Sequence, residues 1–147
     1  KVWASHYRSF FVCLEHLFNN IVDHGFKGKN NPSFTGKVTV KAVDGPKELT
    51  LFIADNGSGI DLERLLVKAK DSGIKMTPQL EANPLNLIFV QGLSTTDQAN
   101  MYSGRGVGME VVAHELHLIK GSINVNSVWG SGTEFEIRLP KVAPQLK

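Results

Sequence analysis

Cysteine is almost missing from this chain: Cys13 is the single one among 147 residues. That excludes an internal disulfide and makes a reducing, cytoplasmic setting the natural one. Cys13 lies in an apolar run, where a cysteine serves as a small buried hydrophobe rather than a nucleophile. No apolar run approaches the ~20 residues that a membrane span requires, and no secretory leader is visible. Basic residues are scattered and the net charge is only +2, so the positive stripe of a nucleic-acid surface is missing. There is no internal repeat and no low-complexity tract. A start methionine is also absent. The opening Lys1-Val2-Trp3 reads as the beginning of a piece cut from a longer protein.

What is present suits one domain. A chain of 147 residues buries roughly two thirds of the surface it would expose unfolded, enough for a core without metals or cross-links. The hydrophobic share is 41% and the charged share 20%, which is ordinary globular composition. From about Trp3 to His24 the apolar residues Phe10, Leu14, Leu17 and Ile21 recur at helical spacing, and Gly25 ends the helix. Two alternating runs, Val38-Val40-Ala42 and Leu49-Leu51-Ile53, read as strands joined through Asp44-Gly45-Pro46. Asp61 can cap a helix over about Leu62 to Ser72, with Gly73 as its stop. A short helix is expected between Pro78 and Gln91. Residues 92–106 show no period and are long for a connection, as functional loops are. A helix from Val107 to about Lys120 precedes two strands, Ile123 to Val128 and Thr133 to Leu139. A linker is expected from Pro140 onward, over residues 141–147. Neighbouring strands with short turns and single apolar faces predict a two-layer α/β sandwich, its sheet mixed but mostly antiparallel, with helices on one face.

Three glycine-rich elements stand far apart: Asp55-Asn56-Gly57-Ser58-Gly59, Gly104-Arg105-Gly106-Val107-Gly108-Met109 and Gly130-Ser131-Gly132-Thr133. Glycine lets backbone approach a ligand closely. The second element opens a helix, where free N–H groups and the helix dipole favour an anion such as phosphate. Taken alone, Gly-x-Gly-x-Gly is as often a tight turn. A dinucleotide fingerprint is excluded, because no βαβ unit surrounds it. A Walker loop is excluded too, because no Lys-Ser/Thr follows the last glycine. On the first helix, His16, Asn20, Asp23 and His24 are spaced as a polar stripe beside the apolar one. An asparagine oxygen is a neutral hard ligand of the kind magnesium accepts. A solvated helix face fits that stripe equally well when it is taken alone.

Together these elements resemble a family. His16-Leu17-Phe18-Asn19-Asn20-Ile21-Val22-Asp23-His24-Gly25 is similar to the N box of the GHKL ATPases, the superfamily of gyrase, the ninety-kilodalton heat-shock chaperone, MutL and the histidine kinases. The three glycine elements are similar to its three glycine boxes, in the same order. Within the superfamily the likeness is greatest to the CheA group of chemotaxis kinases. It includes Gly92-Leu93-Ser94-Thr95 and spans Leu14 to Pro140. The resemblance implies a Bergerat-type ATP-binding fold and a protein-histidine kinase of two-component signalling, with ATP as substrate and Mg2+ as cofactor. It implies that Asp55 accepts a hydrogen bond from the adenine amino group, that Gly57 and Gly59 admit the purine, and that Thr133 assists. It implies Asn20 as the metal ligand, Asp23 and His24 near the nucleotide, and Ser94, Thr95, Gly104, Arg105, Gly106, Val107, Gly108 and Met109 around the phosphates. It implies partners as well: a histidine phosphotransfer domain, a response regulator, and dimerisation of the parent protein through a domain outside this chain. Residues 92–105 would be a lid over ATP.

His16 stands where gyrase-like members carry a glutamate that activates water, and the resemblance gives it a role toward an incoming imidazole instead. Three positions depart from the CheA pattern: Gln91 for a usual proline, Leu93 for a usual phenylalanine and Asn56 for a common aspartate. His114-Glu115 mimics a phosphoacceptor pair, but without the arginine and proline that usually follow, and His6 and His117 have no context. The acceptor histidine is therefore expected on another domain. The alternatives are a serine kinase of the anti-sigma type, which His16 counts against, and a non-catalytic nucleotide sensor on the same fold.

Overall fold

A computed structural model of the chain describes residues 4–93 and 108–141. β1 (Val38–Asp44) and β2 (Glu48–Asp55) form a hairpin whose turn is closed by Gly45 N–H donating to the Glu48 carbonyl at 3.0 Å. β3 (Ser122–Val128) and β4 (Gly132–Pro140) form a second hairpin, and the strand order is β1-β2-β4-β3. Every pairing among the described residues is antiparallel. The parallel component that a mixed sheet would contain is not among them.

Register sets the core. Val40, Ile53, Phe135 and Val125 lie directly opposite one another in a row across all four strands. Side chains of such a row share one sheet face. Ile53, Phe135 and Val125 are 0–1% exposed, yet Val40 on the edge strand is 56% exposed. The helices therefore cover the β2-β4-β3 part of that face and leave β1 largely open, which the alternation of Val38, Val40 and Ala42 does not reveal.

α1 (Ala4–Asn20) lays Cys13 and Leu17 into this face, with Phe10 and Leu14 partly buried beside them. The Cys13 thiol points at the Val112 carbonyl of α4 (Glu110–Leu118), 3.5 Å away. Burial, with the Glu115 charge nearby, pushes the thiol up to about 12. It stays protonated near neutrality and packs as a hydrophobe. Helical character continues past α1, but not as α-helix: Ile21–Gly25 is a π turn, with Phe26 N–H bonded to the Ile21 carbonyl at 3.1 Å. The expected helix from Val107 begins, in its described part, at Glu110.

α2 (Leu62–Asp71) is capped by Asp61, whose carboxylate accepts from Arg64 N–H at 3.1 Å. The segment between Pro78 and Gln91 holds two short pieces, α3 (Pro78–Ala82) and a 3-10 turn (Pro84–Phe89). Leu65, Ala69, Leu87 and Leu93 form a second apolar cluster beneath them. Asn86 accepts from Val125 N–H at 3.3 Å and Asn83 donates to the Val125 carbonyl at 2.9 Å. These side chains satisfy the backbone groups that edge strand β3 would otherwise leave bare. No helix among the described residues is long and apolar enough to cross a membrane.

Candidate functional site

Asp55 ends β2, and the chain cannot continue as strand through Gly57 and Gly59. It turns instead, so that Gly57 N–H donates back to Asp55 Oδ1 at 2.8 Å. Three separate segments then close on this turn. The first is the end of the π turn: the Gly25 carbonyl accepts from Ser58 N–H at 2.6 Å. A side chain at residue 57 would run into that carbonyl, so glycine is required there. The second is the β3-β4 turn, where Gly130 N–H donates to the Ser58 carbonyl at 2.6 Å. The third is the start of β4, where Gly132 lies against the Asp55 backbone so closely that a Cβ would overlap it. Thr133, the next residue, stands directly opposite Asp55 in the sheet.

Hydroxyl groups lock the arrangement. Gly59 turns through φ 75°, and Ile60 N–H donates to Ser127 Oγ at 2.8 Å. Ser127 Oγ in turn lies 2.8 Å from the Gly132 carbonyl and 3.1 Å from Thr133 Oγ1. Partial burial pushes the Asp55 carboxyl above the ordinary carboxylate range, while the N–H groups of Gly57 and Thr133 pull it part of the way back. The site thus holds a half-buried acceptor in a frame built from backbone.

Asn56 explains one departure from the expected pattern. Its Oδ1 accepts from Lys37 N–H at 2.7 Å and its Nδ2 donates to the Thr35 carbonyl at 3.0 Å. An aspartate could make only the first bond. Leu93 is buried in the second apolar cluster, and Gln91 is exposed.

The polar stripe of the first helix is only partly preserved. His16 and Asn20 are half-buried on α1, whereas Asp23 and His24 are exposed on the π turn. Among the described residues no hydrogen bond ties these four side chains to Asp55; the π turn joins the Asp55–Gly59 turn through the Gly25 carbonyl, which accepts from Ser58 N–H. The neutral Asn20 oxygen and the exposed Asp23 carboxylate have the hard-donor chemistry that suits magnesium. Met109 is buried with Cys13, Leu17 and Ile21, which seats the start of α4 against the Asn20 helix. Gly108 N–H is bonded to Glu110 Oε1 at 3.1 Å. Ser94, Thr95, Gly104, Arg105, Gly106 and Val107, and most of the expected lid, lie outside the described residues. His114 and His117 are exposed on α4, and His6 is half-buried on α1.

The sequence offered no signal for Gly25 as a backbone anchor or for Ser127 as a lock. Both act through chain segments that meet only after folding.

The model of the family described as histidine kinase-, DNA gyrase B-, and HSP90-like ATPase matches residues 9–143. The chain is 38% identical to the chemotaxis protein CheA of Bacillus subtilis over 86% of its own length and 20% of that protein. It is 35% identical to the gliding motility regulatory protein of Myxococcus xanthus, over 91% of this chain and 18% of that one. It therefore spans about a fifth of the length of these curated relatives. Among solved structures, the histidine kinase domain of the Erythrobacter litoralis blue-light activated histidine kinase superposes with a TM-score of 0.52 at 14% identity, over 90% of this chain and 43% of that chain.

Proposed function

Because this chain belongs to the family of histidine kinase-, DNA gyrase B- and HSP90-like ATPases, we propose that it is the ATP-binding catalytic unit of a CheA-like histidine kinase, acting on a histidine of another domain. The observation that carries the reading is the convergence of Gly25, Gly57 and Gly132 on Asp55, with Gly132 against its backbone carbonyl and Gly57 N–H held by its half-buried carboxylate. A carboxylate held in this way accepts from an exocyclic amino group and leaves a keto purine unpaired, which selects adenine. Thr133 supports the same contact.

Phosphoryl transfer depends mainly on positioning and charge stabilisation. Asn20 and the start of α4 would hold the phosphates, with Asp23, His24, Ser94, Thr95 and Arg105 around them. Magnesium, bound through Asn20, would supply charge neutralisation. The P–O bond to the leaving diphosphate breaks, a P–N bond to the acceptor imidazole forms, and the imidazole gives up its proton. We assign His16 to orienting that imidazole or taking its proton. The response regulator, the dimerisation domain and a cytoplasmic location belong to the parent protein on this reading.

The test is labelling with γ-labelled ATP. The chain alone should bind ATP but incorporate little label. Addition of a histidine phosphotransfer domain should give acid-labile label, and His16→Ala should lower that rate by roughly a hundred- to ten-thousandfold, the range of one acid–base group. Acid-stable label would favour a serine kinase. Rapid self-labelling at His114 or His6 would overturn the separate-acceptor reading.

The metal assignment has its own test. Asn20→Ala should weaken ATP binding in the presence of magnesium much more than in its absence, by roughly tenfold against little change. Equal losses under both conditions would remove Asn20 as a ligand.

A further inference from the structure

The first turn of α4 already holds an anion of its own. Gly108 N–H, one of the donors assigned above to a phosphate, points instead at Glu110 Oε1, 3.1 Å away. Glu110 is the acidic residue in the first turn of this helix, so its carboxylate sits where the helix dipole is most positive. The turn is fixed in place: Met109, between the two residues, is buried with Leu17 and Ile21 of the segment that contains Asn20. Glu110 itself is only partly buried, so solvent reaches this residue.

An N–H given to a carboxylate is not available to a phosphate oxygen, and two anions at one helix start repel each other. We infer that Glu110 is an internal competitor of the nucleotide phosphates: it satisfies the Gly108 donor in the free protein and is displaced when the phosphates arrive. The inference rests on the proposed reading of Gly108 as a phosphate donor. It assigns Glu110 a part in setting affinity for the phosphate chain, separate from the adenine contact at Asp55.

A glutamate that serves only as a helix cap makes the opposite prediction. Its loss would loosen the helix start and weaken nucleotide binding along with stability. The two roles therefore differ in the sign of the effect.

The experiment is calorimetric titration of the 147-residue chain, as wild type, Glu110→Gln and Glu110→Ala, with Mg-ATP, ADP and adenosine, beside thermal melts. Both variants should bind ATP more tightly, by roughly three- to tenfold, the effect of one charge near a helix N-terminus. Adenosine affinity should stay unchanged, and the melting temperature should fall slightly as the cap is lost. Unchanged or weaker ATP binding in both variants would overturn the inference, as would an equal gain with adenosine. Failure of the wild type to bind ATP at all would overturn the functional reading first, and this inference with it.

Discussion

Asp55→Asn is expected to lose ATP affinity by about two orders of magnitude or more while the fold stays intact. A hydrogen bond involving an ionised group contributes roughly 1.5–3 kcal/mol, and a mismatch in a partly buried site costs more than simple loss. The structure supplies the mismatch. Two backbone N–H groups, of Gly57 and Thr133, face this carboxylate. An asparagine must keep its carbonyl oxygen toward those donors, so its NH2 turns to the adenine amino group and a donor meets a donor. The same geometry favours a keto purine. The variant should therefore bind ITP better than ATP, reversing the wild-type order. Calorimetry with ATP and ITP, beside a thermal melt, is the measurement. Unchanged ATP affinity would remove Asp55 as the adenine acceptor.

The same carboxyl sets a pH dependence. Burial raises its folded value above 3.8, so the folded protein takes up this proton more readily than the unfolded chain. The ionised form therefore costs stability above the raised value, and that cost fades as pH falls through it. Binding has the opposite sense, because the adenine contact needs the ionised acceptor. ATP affinity should begin to fall at a pH above that at which an exposed aspartate would protonate, while the fold is still intact. In Asp55→Asn that step should be gone.

Much of this was legible in the sequence because it is written in local chemistry. Apolar periods gave the helices and strands, Asp61 announced its cap, and the glycine elements announced backbone close to a ligand. The π turn was not legible, because the apolar period of the first helix runs smoothly through Ile21, and nothing in Ile21-Val22-Asp23-His24-Gly25 marks an i+5 hydrogen bond. Nor was the openness of β1: its alternation matches that of β2, and only the strand order shows that β1 is the edge. Asn56, read as a departure from a family pattern, is a donor and acceptor to one distant segment, bonding Thr35 and Lys37, 21 and 19 residues earlier. Glu110 was hidden for the opposite reason. A glutamate at a helix start is so ordinary that its competition with a ligand is visible only once its partner N–H is known.

Gly57→Ala and Gly25→Ala should behave very differently, although both residues belong to the same junction. A Cβ at position 57 would overlap the Gly25 carbonyl and lie 2.7 Å from Asp55 Oδ1. Neither obstacle is the free end of a flexible side chain: one is backbone, and the other is held by a hydrogen bond. Relief requires the π turn and β2 to separate, which breaks the 2.6 Å bond from Ser58 N–H to the Gly25 carbonyl. Overpacking of this kind costs about 1–3 kcal/mol, and the lost hydrogen bond about 1 more. At this chain length that corresponds to a melting temperature lower by roughly 5–15 °C, with ATP affinity reduced by roughly thirtyfold or more as Asp55 is displaced. A Cβ at position 25 meets its nearest neighbour, Asp55 Oδ1, at an ordinary 3.5 Å. In a helical turn alanine is favoured over glycine by about 1 kcal/mol, so Gly25→Ala should melt at or slightly above the wild-type temperature and keep its ATP affinity. Equal losses in the two variants would show that the close approach of the π turn to residue 57 is not what holds the site together.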